Sequence, residues 1–383
     1  LRTYSELVHK NQNTVDGLKY LVGESVSQQS QPPLRPYQQE CIETCLRKFI
    51  EEKVKRQIVS LPVGSGKTVI FSNLIRKIPP PYPGADKVLV LAHREELLDQ
   101  AYKQISKFSP DLTLEIDQGE RIAMGTANVI IGSVQSLGRS ESNRIKKYDP
   151  SNFKAIIIDE VKLSEFPLNW IVQVLEHDLQ IDSTVRRYDG ISLGEIFDEI
   201  TYHKDFLDMI NEKWLCDLRV TTIKTDIDLS DVKSNKEDFI ESDLSKYVNV
   251  RQLDIEHVEA LTKMFIDCGV DAFSITSKTK KHIRSEKLND FRARKFPVLV
   301  NCGILTEGTD IPNVDCIIMS RPTKSPVLFQ QMIGRGMRLA EGKEDCLVLD
   351  FIDSYINFPD LVTVPSLLGL KPDTEMKGSY IYT

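Results

Sequence analysis

The chain has 383 residues, too long for one ordinary domain and long enough for two that each bury a core. Apolar residues make up 41% and charged residues 27%, the composition of a soluble globular protein, and no apolar run reaches the roughly 20 residues that cross a bilayer. The formal net charge of −7 excludes a protein that wraps nucleic acid by bulk positive charge, so any such binding must use local patches or backbone amides.

The two ends of the chain read as extensions of a central core. Residues 1–33 are polar and weakly periodic, and they end in a stretch rich in Gln, Ser and Pro, which predicts an N-terminal extension and linker. The chain starts at Leu1 without a methionine, so we expect the natural N-terminus and any targeting segment to lie outside it. Residues 354–383, with three prolines, predict the start of a C-terminal extension.

From Leu34 onward, short apolar runs alternate with amphipathic segments. The first series predicts buried strands at 57–61, 87–92, 128–132 and 155–158, and helices at 38–51, 66–77 and 95–108. Strands that alternate with helices form a parallel sheet covered on both faces. The sequence therefore predicts an α/β lobe over residues 34–223.

A second α/β series follows an acidic, less regular region at 190–250. It predicts helices at 255–268, 282–294 and 326–333, and strands at 271–275, 297–301, 314–319 and 345–350. No second phosphate-binding loop appears in this series. We place the second lobe at 224–353, with the lobe junction near 224–250.

The first predicted strand runs into Pro62-Val63 and then residues 64–68, Gly-Ser-Gly-Lys-Thr, before an amphipathic helix. In such a loop, backbone N–H groups close around the β-phosphate, the lysine reaches the β and γ oxygens, and the last hydroxyl binds Mg²⁺. The consensus has a glycine where this chain has Leu61, so the match is imperfect there. The motif predicts an ATP and Mg²⁺ site built from Gly64, Ser65, Gly66, Lys67 and Thr68.

A carboxylate pair, Asp159-Glu160, follows the buried strand at 155–158. The carboxyl end of a buried strand is where an enzyme with a phosphate loop places its magnesium ligand and catalytic carboxylate. We therefore predict that Asp159 holds Mg²⁺ through water and that Glu160 orients or deprotonates the attacking water.

Two arginines, Arg335 and Arg338, share one helical face in the second lobe, within the sequence Gln-Met-Ile-Gly-Arg-Gly-Met-Arg that begins at Gln331. We predict that Arg338 stabilises charge on the transferring phosphoryl group and that Arg335 bridges to the γ-phosphate. Because these arginines and the phosphate loop lie on different lobes, catalysis would require the lobes to close.

In order and spacing, these motifs resemble those of superfamily 2 helicases. Supporting matches are Leu-Arg-Pro-Tyr-Gln at 34–38, the motif Ia-like run at 92–97, the motif Ic-like run at 132–137 and the motif V-like run at 306–312. The resemblance covers residues 34–353 and implies an α/β fold of two RecA-like lobes in tandem, the core of this class of P-loop NTPase.

The resemblance also implies roles for individual residues. Nucleotide contacts fall on Arg35, Tyr37, Gln38, Gly308 and Asp310, with Tyr37 and Gln38 recognising adenine, and Gln331 joins the catalytic arginines. Nucleic-acid contacts fall on His93, Arg94, Ser133, Gln135 and Thr306. Such contacts go mostly to phosphates and give position without sequence preference, which would let an acidic protein act on nucleic acid.

Two further segments look like one branch of that superfamily. Residues 186–200 resemble the DNA translocases, and residues 361–370 resemble the fungal mitochondrial branch-migration helicases of the increased-recombination-centres type. The resemblance implies an ATP-dependent DNA helicase or translocase that acts on duplex or branched DNA in mitochondrial repair or recombination. We expect it to be a monomeric motor without a membrane partner.

Three departures from the family pattern leave alternatives open. Lys162 stands where this branch has His, no apolar strand precedes Ser183-Thr184, and the second lobe lacks an apolar strand before its helix at 255. Because a parallel sheet that loses a strand leaves apolar helix faces uncovered, we expect segments of the natural protein to be missing there. The alternatives are an ATPase stimulated by double-stranded RNA and a nucleotide-binding scaffold that has lost coupling.

Overall fold

The computed structural model describes residues 33–138, 144–159, 179–182, 197–223, 255–303, 305, 311–320, 323–351, 362–368, 370–371 and 374–380. The chain divides into two units, Leu1–Arg35 and Pro36–Thr383, and the elements that follow all belong to the second. Within the described residues, no helix is both long enough and apolar enough to span a bilayer.

The first part of the chain builds one open sheet. Its elements in chain order are α1 (Pro36–Ile50), β1 (Arg56–Ser60), α2 (Lys67–Lys77), β2 (Lys87–Ala92), α3 (Glu95–Phe108), β3 (Leu114–Asp117), β4 (Val129–Ser133), α4 (Val134–Leu137), β5 (Phe153–Ile158), β6 (Leu179–Asp182) and β7 (Glu199–His203). Two 3-10 turns, Ile145–Lys147 and Pro150–Asn152, precede β5. The sheet has seven strands in the order β3-β4-β2-β5-β6-β1-β7. Every pairing is parallel.

Apolar runs explain why the inner strands of this sheet form. β2, Lys-Val-Leu-Val-Leu-Ala, is buried from its second residue onward, as expected for a strand covered on both faces. The covering helix α3 buries one stripe at helical spacing, made of Leu97, Leu98, Ala101, Ile105 and Phe108. Each large apolar side chain fully buried in this way stabilises the fold by about 1.5–3 kcal/mol.

The sequence predicts the first-series strands and helices to within two residues, and β1, β2, β4, β5 and α1 to α3 confirm them. The sequence shows no apolar strand before Ser183-Thr184, yet the sheet has a strand there, because β6 lies between β5 and β1 and pairs with both in parallel. Its short Leu-Gln-Ile-Asp sequence has too little apolar character to stand out as a buried strand. Lys162 and Ser183-Thr184 themselves lie outside the described residues.

The second part of the chain builds a smaller sheet and a strand pair. Its elements are α5 (Phe206–Asn211), β8 (Asp217–Ile223), α6 (Glu256–Asp267), β9 (Ala272–Ile275), α7 (Lys281–Arg292), β10 (Val298–Asn301), β11 (Cys316–Met319), α8 (Pro326–Ile333), β12 (Asp345–Phe351), α9 (Val364–Leu367) and β13 (Lys377–Tyr380). The four-stranded order is β11-β12-β8-β13, with β13 antiparallel, while β9 and β10 form a separate parallel pair.

The position of β8 bears on the predicted lobe boundary. This strand pairs with β12 along its whole length, so it belongs to the second sheet although the sequence reading assigns it to the first lobe. Its buried residues alternate, Leu218 and Val220 pointing into the core, in a stretch that reads as irregular. We therefore propose that the second lobe begins before Asp217. The predicted end of the second lobe at 353 and the two terminal extensions stay proposals.

Candidate active site

Four predicted motifs lie at one edge of the first sheet. Because the strands are parallel, their carboxyl ends meet at the same edge, the usual ligand side of such sheets. The phosphate loop follows β1, Asp159 follows β5, His93 follows β2, and Ser133 closes β4. Only β6 separates β1 from β5, so the loop and Asp159 flank a single strand.

The loop between β1 and α2 has the backbone shape that a phosphate requires. Gly64 and Gly66 adopt φ of +89° and +79°, the left-handed region where glycine avoids strain. The Ser65 N–H donates to Pro62 O at 3.3 Å, and the Val69 N–H donates to Gly66 O at 2.9 Å as the helix begins. Gly66 caps α2 without a side-chain hydrogen bond, which leaves first-turn N–H groups for an anion.

Two further observations fit this loop to a triphosphate. The Ser65 hydroxyl is 1% exposed and has no hydrogen-bond partner within the described part of the chain. A Cβ placed on Gly66 would lie 2.7 Å from Gln38 Nε2, so a side chain there would displace Gln38 from its hydrogen bond to the loop. This geometry fits ATP, which the loop amides and Lys67 would hold, while Thr68 and Asp159 would bind Mg²⁺. When bound, Mg²⁺ would neutralise phosphate charge.

Tyr37 and Gln38 hold the phosphate loop from behind. The Tyr37 hydroxyl and Gln38 Nε2 both donate to Ser65 O, the latter at 3.1 Å. Both side chains are buried, and the Tyr37 ring lies 5.5 Å from the Trp214 ring between centroids. The Tyr37 ring packs into the core and, with Trp214, also lines a cavity. Adenine recognition by Tyr37 and Gln38 stays a prediction, as does the contact by Arg35, which belongs to the other unit.

The turn at residues 334–338, called the arginine turn below, carries Arg335 and Arg338 and lies directly against the phosphate loop. A Cβ placed on Gly64 would lie 3.3 Å from Cγ of Arg338 and 3.6 Å from Gly334 O. A Cβ placed on Gly334 would lie 2.6 Å from Cβ of Val63, just before the loop glycines. Motifs from two separate sheets thus meet at van der Waals distance, as the sequence reading requires for catalysis.

The other predicted catalytic residues are placed in part. Asp159 is 5% exposed at the end of β5, where its N–H donates to Leu91 O at 2.9 Å. Gln331 is half-buried in the last turn of α8, and Arg335 is half-buried just beyond it. Four predicted residues lie outside the described residues, and their roles stay predictions: Glu160, Thr306, Gly308 and Asp310.

The predicted nucleic-acid residues divide by exposure. Gln135 is exposed at the start of α4, whereas Ser133 is 2% exposed, so the structure does not support a direct phosphate contact by its hydroxyl. Arg94 donates from Nε to His93 Nε2 at 3.3 Å and from Nη1 to Gly303 O at 3.4 Å. The motif after β2 therefore touches the second lobe in this arrangement.

Two charged pairs lie next to the motif after β2, and the sequence did not predict them. Lys281 Nζ lies 2.5 Å from Glu95 Oε1, and Arg284 Nη1 lies 3.2 Å from Glu96 Oε1. Each pair joins the first turn of α3 to the first turn of α7. The basic run at 278–295 was the one sequence feature that pointed to such pairs, but its acidic partners cannot be identified without the fold.

The comparisons with known proteins define the class. Residues 31–180 match the family described as type III restriction enzyme, res subunit, and residues 223–340 match the helicase conserved C-terminal domain. With two RecA-like lobes in tandem, one bearing the phosphate loop and the other the arginine turn, the chain belongs to the superfamily 2 helicases.

Within that class, the chain is similar to two curated fungal proteins. It is 39% identical to the candidate mitochondrial ATP-dependent helicase irc3 of Schizosaccharomyces pombe, over 91% of this chain and 61% of that protein. It is 38% identical to the candidate ATP-dependent helicase IRC3 of Saccharomyces cerevisiae, over 90% of this chain and 55% of that protein. The chain thus spans less than two thirds of the length of these relatives.

Solved structures agree on the fold alone. The Type ISP restriction-modification enzyme LlaBIII bound to DNA superposes with a TM-score of 0.62 at 16% identity, over 84% of this chain and 28% of that one. Dbp5 of S. cerevisiae, bound to RNA and ADP BeF3, superposes with a TM-score of 0.60 at 15% identity, over 90% and 93%.

Proposed function

We propose that this chain is the ATP-hydrolysing motor of a DNA helicase or translocase that acts on duplex or branched DNA. The observation that carries the proposal is the contact of Arg338 with Gly64. It brings together a phosphate cradle and a cationic side chain that stabilises charge on a transferring phosphoryl group.

Each group has one task in this proposal. The loop amides and Lys67 bind the phosphates, and Glu160 orients or deprotonates the attacking water. Arg335 and Arg338 stabilise the charge that develops on the γ-phosphoryl group. Because the two sets come from different lobes, ATP would favour the closed arrangement and its loss would permit opening, which moves whatever both lobes hold.

DNA is favoured over RNA by the segments at 186–200 and 361–370, which resemble DNA translocases and branch-migration helicases. The curated relatives at 38–39% identity are named as ATP-dependent helicases, one of them mitochondrial. We therefore propose a role in mitochondrial DNA repair or recombination, carried out by a monomeric motor. Exposed Gln135 and the Arg94 guanidinium supply sequence-independent contacts.

ATP turnover tests the proposal, measured with no nucleic acid, branched DNA, linear duplex DNA or duplex RNA. We expect stimulation by DNA. Lys67→Ala and Glu160→Gln should each remove nearly all turnover, since phosphate binding and water activation act as a unit. Lys77→Ala is the matched control, because that lysine is exposed in the last turn of the same helix, α2.

Each alternative has its own outcome in that assay. Stimulation by duplex RNA but not by DNA would refute the DNA assignment and favour the RNA-stimulated ATPase. Absence of turnover under all conditions would favour a scaffold that binds nucleotide without coupling. Near-normal turnover by Glu160→Gln would show that another group activates the water. Cell fractionation of the full-length protein tests the mitochondrial location, which a purely cytosolic signal would contradict.

A further inference from the structure

The turn after α8 carries both arginines on a backbone that needs outside support. α8 ends at Ile333, and residues 334–338 continue as a tight turn, with the Gly336 N–H donating to Ile333 O at 3.0 Å. The last carbonyl groups of α8 accept N–H groups of this turn, so it is the carbonyl groups of the turn itself that need donors from elsewhere. A cation placed beside the turn would satisfy them.

Lys343 supplies that cation. Its half-buried side chain donates from Nζ to three backbone carbonyl groups, those of Gly336, of Arg338 at 2.9 Å and of Pro312 at 3.4 Å. Two of these carbonyls belong to the arginine turn, one two residues before Arg338 and one on Arg338 itself. The third comes from the segment that enters β11. One ammonium group thus joins two segments of the second lobe.

Cys216 supports the same turn from another side. Its N–H donates to Met337 O at 2.8 Å, and its Sγ lies 3.2 Å from Gly336 O. Burial raises the pKa of the Cys216 thiol and raises that of the neighbouring Cys346 thiol to about 12, although Lys343 opposes both shifts. Both thiols are therefore neutral at pH 7, so neither offers Lys343 an anionic partner in place of the carbonyl oxygens.

We infer that Lys343 is a positioning residue for the arginine turn. It fixes the backbone of residues 336–338, so that the Arg338 side chain stays against Gly64. The same backbone holds the Arg335 side chain in its orientation. The inference rests on the proposed ATPase function, because its effect is on the transferring phosphoryl group. Charge-assisted hydrogen bonds are about twice as strong as neutral ones, and a misplacement of about 1 Å costs roughly 100-fold in rate.

The test compares Lys343→Met with Lys154→Met in the same chain. Lys154 is a matched control: it is half-buried and donates to one backbone carbonyl, Ile78 O at 2.9 Å, but lies on β5 of the other sheet. We expect Lys343→Met to lower kcat for ATP by roughly 10- to 100-fold while the KM changes by less than about threefold, because the phosphate loop is intact. Lys343→Arg should restore part of kcat, since it keeps the charge and several donors.

The outcomes separate the two proposals. A kcat for Lys343→Met within threefold of that of Lys154→Met, or a raised KM at unchanged kcat, would overturn the inference. Wild-type chain that binds ATP but never turns it over refutes the proposed function and the inference with it. If thermal unfolding shows that Lys343→Met does not fold, Lys343→Gln replaces it, because its amide keeps two N–H donors without the charge.

Discussion

Asp350 is a buried carboxyl group close to the end of β12. Its side chain is 3% exposed, and Oδ2 accepts a hydrogen bond from the Val364 N–H at 2.7 Å. Burial raises the pKa of this carboxyl group from its usual 3.8 to about 6, although the hydrogen bond opposes the shift. Between about pH 4 and pH 6 the folded chain holds the proton more tightly than the unfolded chain does. Stability contributed by this group therefore falls as the pH rises through that window.

Asp350→Asn should stabilise the chain at pH 8 and change little at pH 4. Asn keeps an acceptor for Val364 and removes the buried charge, so we expect a gain of about 1–3 kcal/mol at pH 8. Urea unfolding at both pH values measures it, with Asp271→Asn as the control at an exposed aspartate. An equal gain at pH 4 and pH 8 would show that ionisation is not the cause.

At the residue scale, a sequence motif does not determine how exposed its individual side chains are. The sequence places Ser133 and Tyr37 in the correct segments, but it does not show that both side chains are buried. A motif tells which residue type stands at a strand end, whereas the exposure of its side chain depends on neighbours that come from elsewhere in the chain. Tyr37 illustrates this, since the Trp214 beside it is remote in sequence.

At the scale of elements, the turn that carries Arg335 and Arg338 packs tightly where it crosses the four-stranded sheet. A Cβ placed on Gly336 would overlap Cys346 Sγ and lie 2.9 Å from Ile317 Cδ1, both on strands of the four-stranded sheet. The turn can approach β11 and β12 this closely only because residue 336 has no side chain. That approach sets the height of Arg335 and Arg338 above the sheet.

Gly336→Ala should therefore cost stability and lower ATP turnover together. Overpacking of this kind costs about 1–3 kcal/mol, and lifting the turn would lower kcat more than it changes the KM. Thermal unfolding and steady-state kinetics measure the two effects. Adding Cys346→Ala to Gly336→Ala removes the overlapping sulfur and should recover part of both losses. Strict additivity of the two substitutions would contradict this account.

Elements with a strong local pattern are the ones that the sequence predicts. β2 and α3 are long apolar or amphipathic runs, and their observed ends agree with prediction. β6 and β8 are short or one-sided, and they become strands because neighbouring strands offer backbone partners. Hydrogen bonding to a partner strand is a long-range interaction, so no local periodicity reveals it.

For the whole molecule, the described contact between the two lobes includes two charged pairs beside the motif after β2. Glu95 and Lys281 are 41% and 72% exposed, and Glu96 and Arg284 are 48% and 24% exposed. Solvent screens such pairs, so each contributes only about 0–1 kcal/mol to the closed arrangement. A contribution of that size shifts the equilibrium toward the closed arrangement but still lets the lobes open.

Lys281→Glu should weaken closure by placing like charges on the two lobes. We expect ATP turnover without nucleic acid to fall by roughly fivefold at low salt. The loss should shrink at 0.5 M salt, because the Debye screening length there is only about 3–5 Å. Glu95→Gln in the same chain should restore turnover by removing the repulsion. The control is Lys263→Glu, an exposed lysine on α6. A low-salt rate equal to that of the control would refute this role.

The sequence by itself determined the phosphate loop, most of its first sheet and the superfamily, because each depends on residue types at short, regular spacing. It could not determine that Arg338 lies against Gly64, that Lys343 and Cys216 hold the turn, or that β8 joins the second sheet. Those facts come from contacts between residues far apart in the chain, whose energies depend on the packed fold. Only the tertiary structure decided them.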